Sequence, residues 1–556
     1  MTASAPQILD VNGDPMVRKP SRASALVGGS NTPYDAAEWN GAHTAAWNPT
    51  LWSPDAELNP WRDTIVARTR DLVKNDGWAS GAVTRVLDNA VGANFRPIFK
   101  PDFKALAYYT GVQGFDAQWA YEYSKALDAS YRTWSTSLGN WSDVQRRLTV
   151  PQMFRVAFRH KLIDGDALAM MQWRPERCGY GRARYATAVQ LIDPDRLGNP
   201  TYGMDQRFLR GGCEIDADGV TVAYHVRRAH QGDWFSAGES MHWDRIERET
   251  EFGRPVMVHD FDSDRAGQHR GGAGILTPVI NRLKMLIRYD VAELDAAILN
   301  AVFGAWIEAP FDSEFVEQAL DSGEKLSGYQ EQRANFHDEA KIRIAGAGGQ
   351  LPTLFPGEGL KQLDAKRPSG NFAAFEKAVL RNVAQACGLS AQQVSNDWSD
   401  VNYSSARGAM LEFWKTMTRR RDDFGTGFAM PIIAAFVEEA HAIDDLPLPV
   451  GAPEFAEFRE AYCRATLVGP GRGWIDPVNE MKGAILGMDA GLMDYDQLCA
   501  EQGIDGDEMI EMRAQTIKRF KDAKVPLPSW AGIMPGGEAQ KSAGTASEQI
   551  TDPEAV

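Results

Sequence analysis

The chain of 556 residues lacks several features that mark common classes of protein. Its five cysteines are scattered, and without a Cys-x-x-Cys pair they predict neither a zinc site nor a disulfide framework. No apolar run approaches about 18 residues, so we expect no membrane span. The first residues contain no apolar core, so we expect no signal peptide.

Catalytic motifs are also missing. The sequence has no Gly-x-Ser-x-Gly, His-Glu-x-x-His or Walker A motif. The Gly-rich stretch that begins at Gly469 lacks the Gly-Lys-Ser/Thr of a phosphate-binding loop. We therefore expect no enzymatic activity, no cofactor and no bound metal.

The chain has no excess of basic residues either, since its net charge is −16. That charge argues against a surface that holds nucleic acid through its phosphates, but it is compatible with a surface along which DNA slides. The hydrophobic content of 44% is ordinary for a soluble globular protein. The length predicts roughly two to four structural units.

The first half of the chain changes from helical to β-rich patterns. A helical hairpin is predicted around the turn Asn75-Asp76-Gly77, and a further helix within residues 115–148. Residues 151–175 begin as a helix and continue as a strand, and β-structure follows to about Asp262. Asp216-Ala217-Asp218-Gly219 predicts a β-hairpin turn.

Three aspartates at alternate positions, Asp260, Asp262 and Asp264, resemble the start of an EF-hand loop. Arg265 replaces the glycine that the sixth position of that loop requires, and Gly271 replaces the glutamate of the twelfth. A solvated loop is therefore the better interpretation.

A long amphipathic helix is predicted after this loop. Thr277 is its expected N-cap and Pro278 lies in its first turn. About 25 residues of helix span about 38 Å. The apolar residues predicted to face one way are Val279, Leu283, Leu286, Leu294 and Ile298, and charged residues on the other faces include Arg282, Arg288 and Glu293.

The segment 371–428 has the pattern helix, polar loop, helix. Phe372, Phe375, Val379, Val383 and Ala386 form one apolar stripe, and Gly388 is expected to end that helix in a left-handed cap. Ser404 or Ser405 is the expected N-cap of the next helix, and Pro431 is expected to restart a helix after Phe428. The loop between the helices is longer than such a connection needs, which is typical of a functional loop.

Residues of this segment resemble the lambda-type family of tailed-phage portal proteins. The resemblance lies in Ala386–Ser390, in the sequence NYSSAR at Asn402–Arg407, in Phe413-Trp414 and in Arg419–Arg421. The block Arg68–Pro97 matches the family as well. The similarity extends over residues 34–528.

The resemblance implies an α+β, mainly helical portal fold with a wing, a long-helix stem, a small mixed α/β clip and a helical crown, assembled as a ring. The implied division is a flexible arm (1–45), the wing (46–272), the first stem helix (273–305), the clip (306–366), the second stem helix (367–390), a tunnel loop (391–404), a long helix returning to the wing (405–452), the crown (453–528) and a disordered tail (529–556).

The resemblance also implies site residues. Candidates for the tunnel loop, which would line the DNA channel, are Ser395, Asn396, Asp397, Trp398, Ser399, Asp400, Asn402 and Tyr403. Candidates for the channel wall of the stem are Arg282, Arg288, Glu293, Glu376, Lys377 and Arg381. Candidates for docking at the clip are Gly346, Gly348, Gly349 and Gln350. Trp398 is interpreted either as a bumper against DNA or, preferably, as an anchor on a neighbouring subunit.

The partners implied by the resemblance are further copies of the chain in a dodecamer, double-stranded DNA that passes without sequence preference, the terminase large subunit, the major capsid or scaffolding protein, and head-completion or adaptor proteins. The location implied is a capsid vertex of the virion, after assembly in the host cytoplasm. Two alternatives are another structural protein of the virion, such as a neck or capsid component, and a soluble hydrolase with a helical accessory domain.

Overall fold

The computed structural model describes most of the chain. The described residues are 46–302 without 48, residues 372–527 without 400, 445 and 474–475, and between them only 306–308, 331, 334–336, 341–343, 350–352 and 359–361. The predicted arm (1–45), the predicted tail (529–556) and most of the predicted clip, including Gly346, Gly348 and Gly349, lie outside the described residues.

Helices form the larger part of the described structure. In chain order they are α1 (Pro54–Asn75), α2 (Gly77–Ala90), α3 (Phe103–Thr110), α4 (Ala117–Ser135), α5 (Val150–Asp164), α6 (Ile280–Val302), α7 (Phe372–Cys387), α8 (Ala391–Ser395), α9 (Tyr403–Phe424), α10 (Met430–Ile443), α11 (Arg459–Cys463), α12 (Pro477–Asp489), α13 (Tyr495–Glu501) and α14 (Gly506–Asp522). Within the described part of the chain, every helix is too short or too polar to cross a bilayer.

The strands form small antiparallel sheets. They are β1 (Arg96–Phe99), β2 (Asp166–Trp173), β3 (Thr187–Ile192), β4 (Leu209–Arg210), β5 (Cys213–Ile215), β6 (Thr221–Arg227), β7 (Trp243–Glu247), β8 (Met257–Phe261), β9 (Trp306–Glu308), β10 (Lys341–Arg343), β11 (Gln350–Pro352), β12 (Gly359–Lys361) and β13 (Ala465–Val468). The larger sheets have the strand orders β3-β2-β8 and β4-β5-β6-β7, and the pairs β1-β13, β10-β11 and β9-β12 complete the described sheets.

The main core is built around a long, nearly continuous helix. A π-helical turn at Gly425–Ala429 joins α9 to α10, so the chain remains helical from Tyr403 to Ile443. Phe424 stacks on Phe428 at 5.1 Å between ring centres and packs against Phe158 of α5 at 5.0 Å. Phe436 stacks on Trp134 of α4 at 4.7 Å. These aromatic contacts hold α9 and α10 against α4 and α5, and the four helices contribute much of the described core.

Several predictions of local structure are confirmed. Asp76 separates α1 from α2 and caps α2 through Ala79 N–H at 3.0 Å. β5 pairs with β6 as the predicted hairpin. Gly388 ends α7 with a φ of +69°. Glycine adopts this conformation readily because glycine has no Cβ.

Three helix boundaries differ from the predictions. Thr277 is not an N-cap, because a 3-10 turn at Thr277–Val279 precedes α6 and the Thr277 hydroxyl donates back to the Gly274 carbonyl at 2.9 Å. Neither Ser404 nor Ser405 caps α9, because Asn402 does so two or three residues earlier. Pro431 does not restart a helix, because the chain is already helical before it. Pro431 lacks an N–H to donate, and the π-helical turn Gly425–Ala429 just before it lets the helix continue.

The apolar residues predicted to face one way along the long helix differ in burial between its two halves. Val279, Leu283 and Leu286 are buried, whereas Leu294 is 61% exposed and Ile298 is 52% exposed. The first half of α6 therefore packs into the core of its own chain, and the apolar residues of the second half do not.

Candidate functional site

The loop between α7 and α9 is shorter than predicted, because part of it is helical. Ser390 starts α8 through a capping box, in which its hydroxyl oxygen accepts from Gln393 N–H at 3.3 Å and its own N–H donates to Gln393 Oε1 at 2.9 Å. The sequence pattern Ser-x-x-Gln at Ser390–Gln393 is typical of a capping box. The irregular connection is therefore only Asn396–Asn402, which we call the tip loop.

The base of the tip loop is fixed to the core. Gln393 and Val394 are buried, and the Gln393 amide contacts Met410 Sδ at 3.6 Å. Asn396 has a φ of +56° and accepts a hydrogen bond from Arg85 Nη2 of α2 at 3.2 Å. The tip loop thus projects from a rigid support.

The tip itself is polar and exposed. Asp397 Oδ1 accepts hydrogen bonds from the Ser399 hydroxyl at 2.6 Å and from Ser399 N–H at 3.1 Å. These bonds, the hydroxyl first, lower the pKa of Asp397 below its usual value, and Lys377 contributes in the same direction. Asp397 consequently stays ionised at neutral pH, so the tip carries a fixed negative charge.

The second half of the tip loop leads into α9. Trp398 is 43% exposed, and its carbonyl accepts from Val401 N–H at 3.3 Å. Asn402 Oδ1 accepts from Ser405 N–H at 2.9 Å and so caps α9. Asp400 and the side chain of Tyr403 lie outside the described residues.

The two predicted stem helices pack against each other. The ring of Tyr289 in α6 lies 5.4 Å from the ring of Phe372 and 5.2 Å from that of Phe375, both in α7. Among the predicted wall residues, Arg282, Arg288, Lys377 and Arg381 are exposed and Glu376 is half-buried. The structure therefore leaves four of these charged side chains open to solvent.

Glu293 differs from the other predicted wall residues in its burial within this chain. It is 5% exposed. It follows the buried Leu286 by seven residues, about two helical turns, and so shares the buried side of α6. Its burial comes from contacts of α6 within its own chain, which the charged residue type does not indicate.

The three arginines at Arg419–Arg421 have different roles that the sequence did not separate. Arg419 is exposed and pairs with Asp423 at 3.0 Å. Arg420 Nη1 donates to the carbonyl of Cys387 at the end of α7 at 3.0 Å. Arg421 is buried, and its carbonyl partners are Ala90 (2.8 Å), Pro470 (3.1 Å) and Asn89 (3.2 Å). It therefore ties α9 to the end of α2 and to the segment after β13.

A buried ionic network that sequence reasoning missed surrounds Asp166 at the start of β2. Arg62 donates to it at 2.7 Å, Arg270 at 3.0 Å and the Gly271 N–H at 2.6 Å, and His259 lies at 2.9 Å. Burial by itself would raise the pKa of Asp166, but Arg270 and Arg62 outweigh it and hold the pKa far below its usual value. The network fixes the loop that leads into α6.

A second acidic cluster contains His160, Asp164 and Asp193, whose polar atoms lie within 4.8 Å of one another. The guanidinium of Arg70 occupies this cluster, with contacts of 2.7 Å to Asp164 and 2.8 Å to Asp193. The arrangement is that of an ion-pair network centred on an arginine.

Comparison with known proteins assigns the family. The family profile described as "Phage portal protein, lambda family" matches residues 40–421, more than half of the chain. The portal protein of Escherichia phage N15 is 28% identical over 498 residues, which is 88% of this chain and 91% of that protein. Portal protein B of Escherichia phage lambda is 28% identical over 515 residues, or 90% and 93% of the two chains.

Solved structures resemble this chain only weakly. A chain from the virion of a native gene transfer agent particle has 14% identity and a TM-score of 0.35, with coverage of 76% of this chain and 98% of that chain. The sequence match is stronger, since it runs from before α1 through α6, α7 and the tip loop into the last turn of α9. On that match, this chain belongs to the lambda family of phage portal proteins.

Proposed function

We propose that this chain forms a dodecameric ring at one vertex of a phage capsid, and that double-stranded DNA passes through the ring during packaging and ejection. Membership of the portal family carries this proposal. In the same proposal the ring binds the terminase large subunit during packaging, head-completion or adaptor proteins afterwards, and the major capsid or scaffolding protein during assembly. The portal family is structural, and we infer that this chain performs no catalysis itself.

The exposed half of α6 supports assembly. Val291, Leu294 and Ile298 recur at three- and four-residue steps, so they lie on one side of the helix, and each is more than half exposed. Exposed apolar residues grouped in this way are typical of a protein interface. In the proposed ring, the α6 helix of one subunit packs through these residues against the neighbouring subunit.

The tip loop supports passage of DNA. A channel must hold DNA without fixed phosphate contacts, because every such contact adds affinity that slows sliding. An ionised Asp397 at the tip repels phosphates over a screening length of about 10 Å. The exposed ring of Trp398 is available to pack on a neighbouring subunit and would then anchor the loop.

The clip is the proposed docking face for the terminase. Gln350 begins β11 and pairs with Arg343 of β10, so the residues 344–349 connect two antiparallel strands. Deleting residues 346–349 is expected to weaken terminase binding in a pull-down assay while the ring still forms. Equal terminase binding by the deletion variant would place the docking face elsewhere.

Assembly is tested by changing the exposed side of α6. Leu294→Lys is expected to lower the assembled fraction in mass photometry, because a charge then lies in an apolar subunit contact. Lys284→Ala changes an exposed charged residue of the same helix and serves as the matched control. A Leu294→Lys protein that assembles as fully as the control would remove this side of α6 from the interface.

A further inference from the structure

The sheet β4-β5-β6-β7 contains a buried arginine whose charge has no acidic partner in the described part of the chain. Arg227, the last residue of β6, is 5% exposed, and its Nε and Nη1 atoms are buried without a hydrogen-bond acceptor. A charge removed from water is normally paired or fully hydrogen-bonded, because its desolvation is otherwise not offset. An unpaired buried guanidinium therefore indicates a missing partner.

Two aromatic rings enclose this guanidinium. Its Cζ atom lies 4.8 Å from the ring centre of Tyr202 and 4.9 Å from that of Trp243. The two rings are 5.5 Å apart and nearly perpendicular, with an interplanar angle of 87°. Cation–π attraction offsets part of the desolvation of the guanidinium, but it leaves the N–H groups without acceptors.

Trp243 contributes a further unpaired donor. It lies directly opposite Arg227 in the β6-β7 ladder, so the two side chains emerge on the same face of the sheet. Its indole Nε1 is also buried, and no described residue supplies it with an acceptor. Among the described residues, at least three N–H groups of this small region thus lack acceptors: Nε and Nη1 of Arg227 and Nε1 of Trp243.

The segment that carries Tyr202 holds its ring at the surface side of this region. Thr201 and Tyr202 have φ values of +55° and +57°, an unfavourable conformation for residues with a Cβ, and Tyr202 is 53% exposed. Arg196 Nε donates to the backbone carbonyl of Arg227 at 2.7 Å and so fixes the end of β6. The guanidinium of Arg227 therefore lies on a fixed strand end, beside a ring that is partly open to solvent.

We propose that Arg227 and Trp243 form a binding site for an oxyanion, beside the half-exposed ring of Tyr202. The planar fork of an arginine matches the oxygens of a phosphate or a carboxylate, and the indole N–H supplies one more donor. The burial of Arg227 keeps water away from its guanidinium and so strengthens the interaction. The oxyanion comes either from inorganic phosphate in solution or from a carboxylate side chain of a second copy of this chain.

Calorimetric titration of inorganic phosphate into the full-length protein tests the first source, in chloride buffer at constant ionic strength. The expected result is one saturable site per chain, at least tenfold weaker in Arg227→Met and at least fivefold weaker in Arg227→Lys, which keeps the charge but loses the fork. Arg228→Gln is the control, because Arg228 is the next residue and is already paired with Asp244 at 2.9 Å. Its affinity for phosphate should stay within twofold of the unchanged protein.

Thermal unfolding shows whether these variants fold and gives a second readout. Without phosphate, Arg227→Met is expected to melt at the same temperature as the unchanged protein or higher, because the substitution removes an unpaired buried charge. Phosphate should raise the melting temperature of the unchanged protein and leave that of Arg227→Met unaffected. An equal rise in both proteins would refute the site.

The second source is tested by assembly, and this arm rests on the ring proposed above. If the carboxylate of a second copy fills the site, phosphate does not bind the assembled protein, and Arg227→Met lowers the assembled fraction in mass photometry whereas Arg228→Gln does not. Absence of phosphate binding together with unchanged assembly of Arg227→Met overturns the proposal. Because the phosphate titration needs no ring, failure of the ring and failure of this site give different results.

Discussion

If the tip loop lies beside DNA in the proposed ring, reversing its charge should make the loop hold the DNA. Asp397 is exposed and ionised, so Asp397→Lys places a cation where the proposed channel has an anion. The substitution also removes the acceptor of the two Ser399 hydrogen bonds. Asp397→Asn therefore serves as a companion variant, since an asparagine oxygen can still accept those bonds without carrying the charge.

The size of the effect follows from counterion release. Each phosphate contact contributes about 0.9 to the slope of log affinity against log salt, so a change from 50 to 200 mM salt weakens binding about 3.5-fold per contact. Two subunits of a ring that each capture one phosphate would make the effect about 12-fold. Stalling by Asp397→Lys should therefore be strong at low salt and relieved at high salt.

The assay is DNA packaging rate in a reconstituted motor at the two salt concentrations, with ring integrity checked in parallel. Asp218→Lys makes the same charge change at an exposed position of the β5-β6 hairpin and controls for net charge. Asp397→Asn and Asp218→Lys are expected to package at nearly the normal rate. An intact Asp397→Lys ring that packages normally in both salts would refute the placement of the loop beside the DNA.

Other predictions concern stability. Arg421→Ala should lower the free energy of unfolding by about 2–5 kcal/mol, because it leaves buried carbonyl groups without a donor. Arg419→Ala should lower it by about 0.5 kcal/mol or less, because its ion pair is exposed. Equal losses for the two variants in urea unfolding would contradict this difference. Burial lowers the pKa of His441 to about 4, so the folded chain binds fewer protons than the unfolded chain between that value and about 6.5. Stability should therefore fall by up to about 3 kcal/mol as the pH drops through this window, and His441→Gln should show a flatter dependence in chemical unfolding at several pH values.

Local patterns in the sequence predicted the elements well where a short segment determines its own structure. The turn Asn75-Asp76-Gly77, the hairpin around Asp216 and the cap at Gly388 depend on backbone preferences within a few residues. The family resemblance, carried by the segment around NYSSAR at Asn402–Arg407, then supplied the fold and is confirmed. Asn402 competed with two serines for the N-cap position, and such close choices are not decided by propensity alone.

Tertiary contacts account for what the sequence did not predict. Glutamate is a residue type that is usually exposed, and only the packing of α6 against its own chain buries Glu293. The separate roles of Arg419 and Arg421 depend on which side of α9 meets α2, which the run of three arginines does not reveal. No pattern in the sequence marks Arg227, because its neighbours Tyr202 and Trp243 are brought to it by the tertiary fold.

Negative-stain electron microscopy of the purified full-length protein shows whether the chain forms the proposed ring. We expect closed rings with a central hole wide enough for duplex DNA, and twelve-fold averages as the main class. It also predicts that rings of Leu294→Lys are fewer than those of Lys284→Ala at the same concentration. Monomers alone, or assemblies without a central hole, at high protein concentration would contradict it.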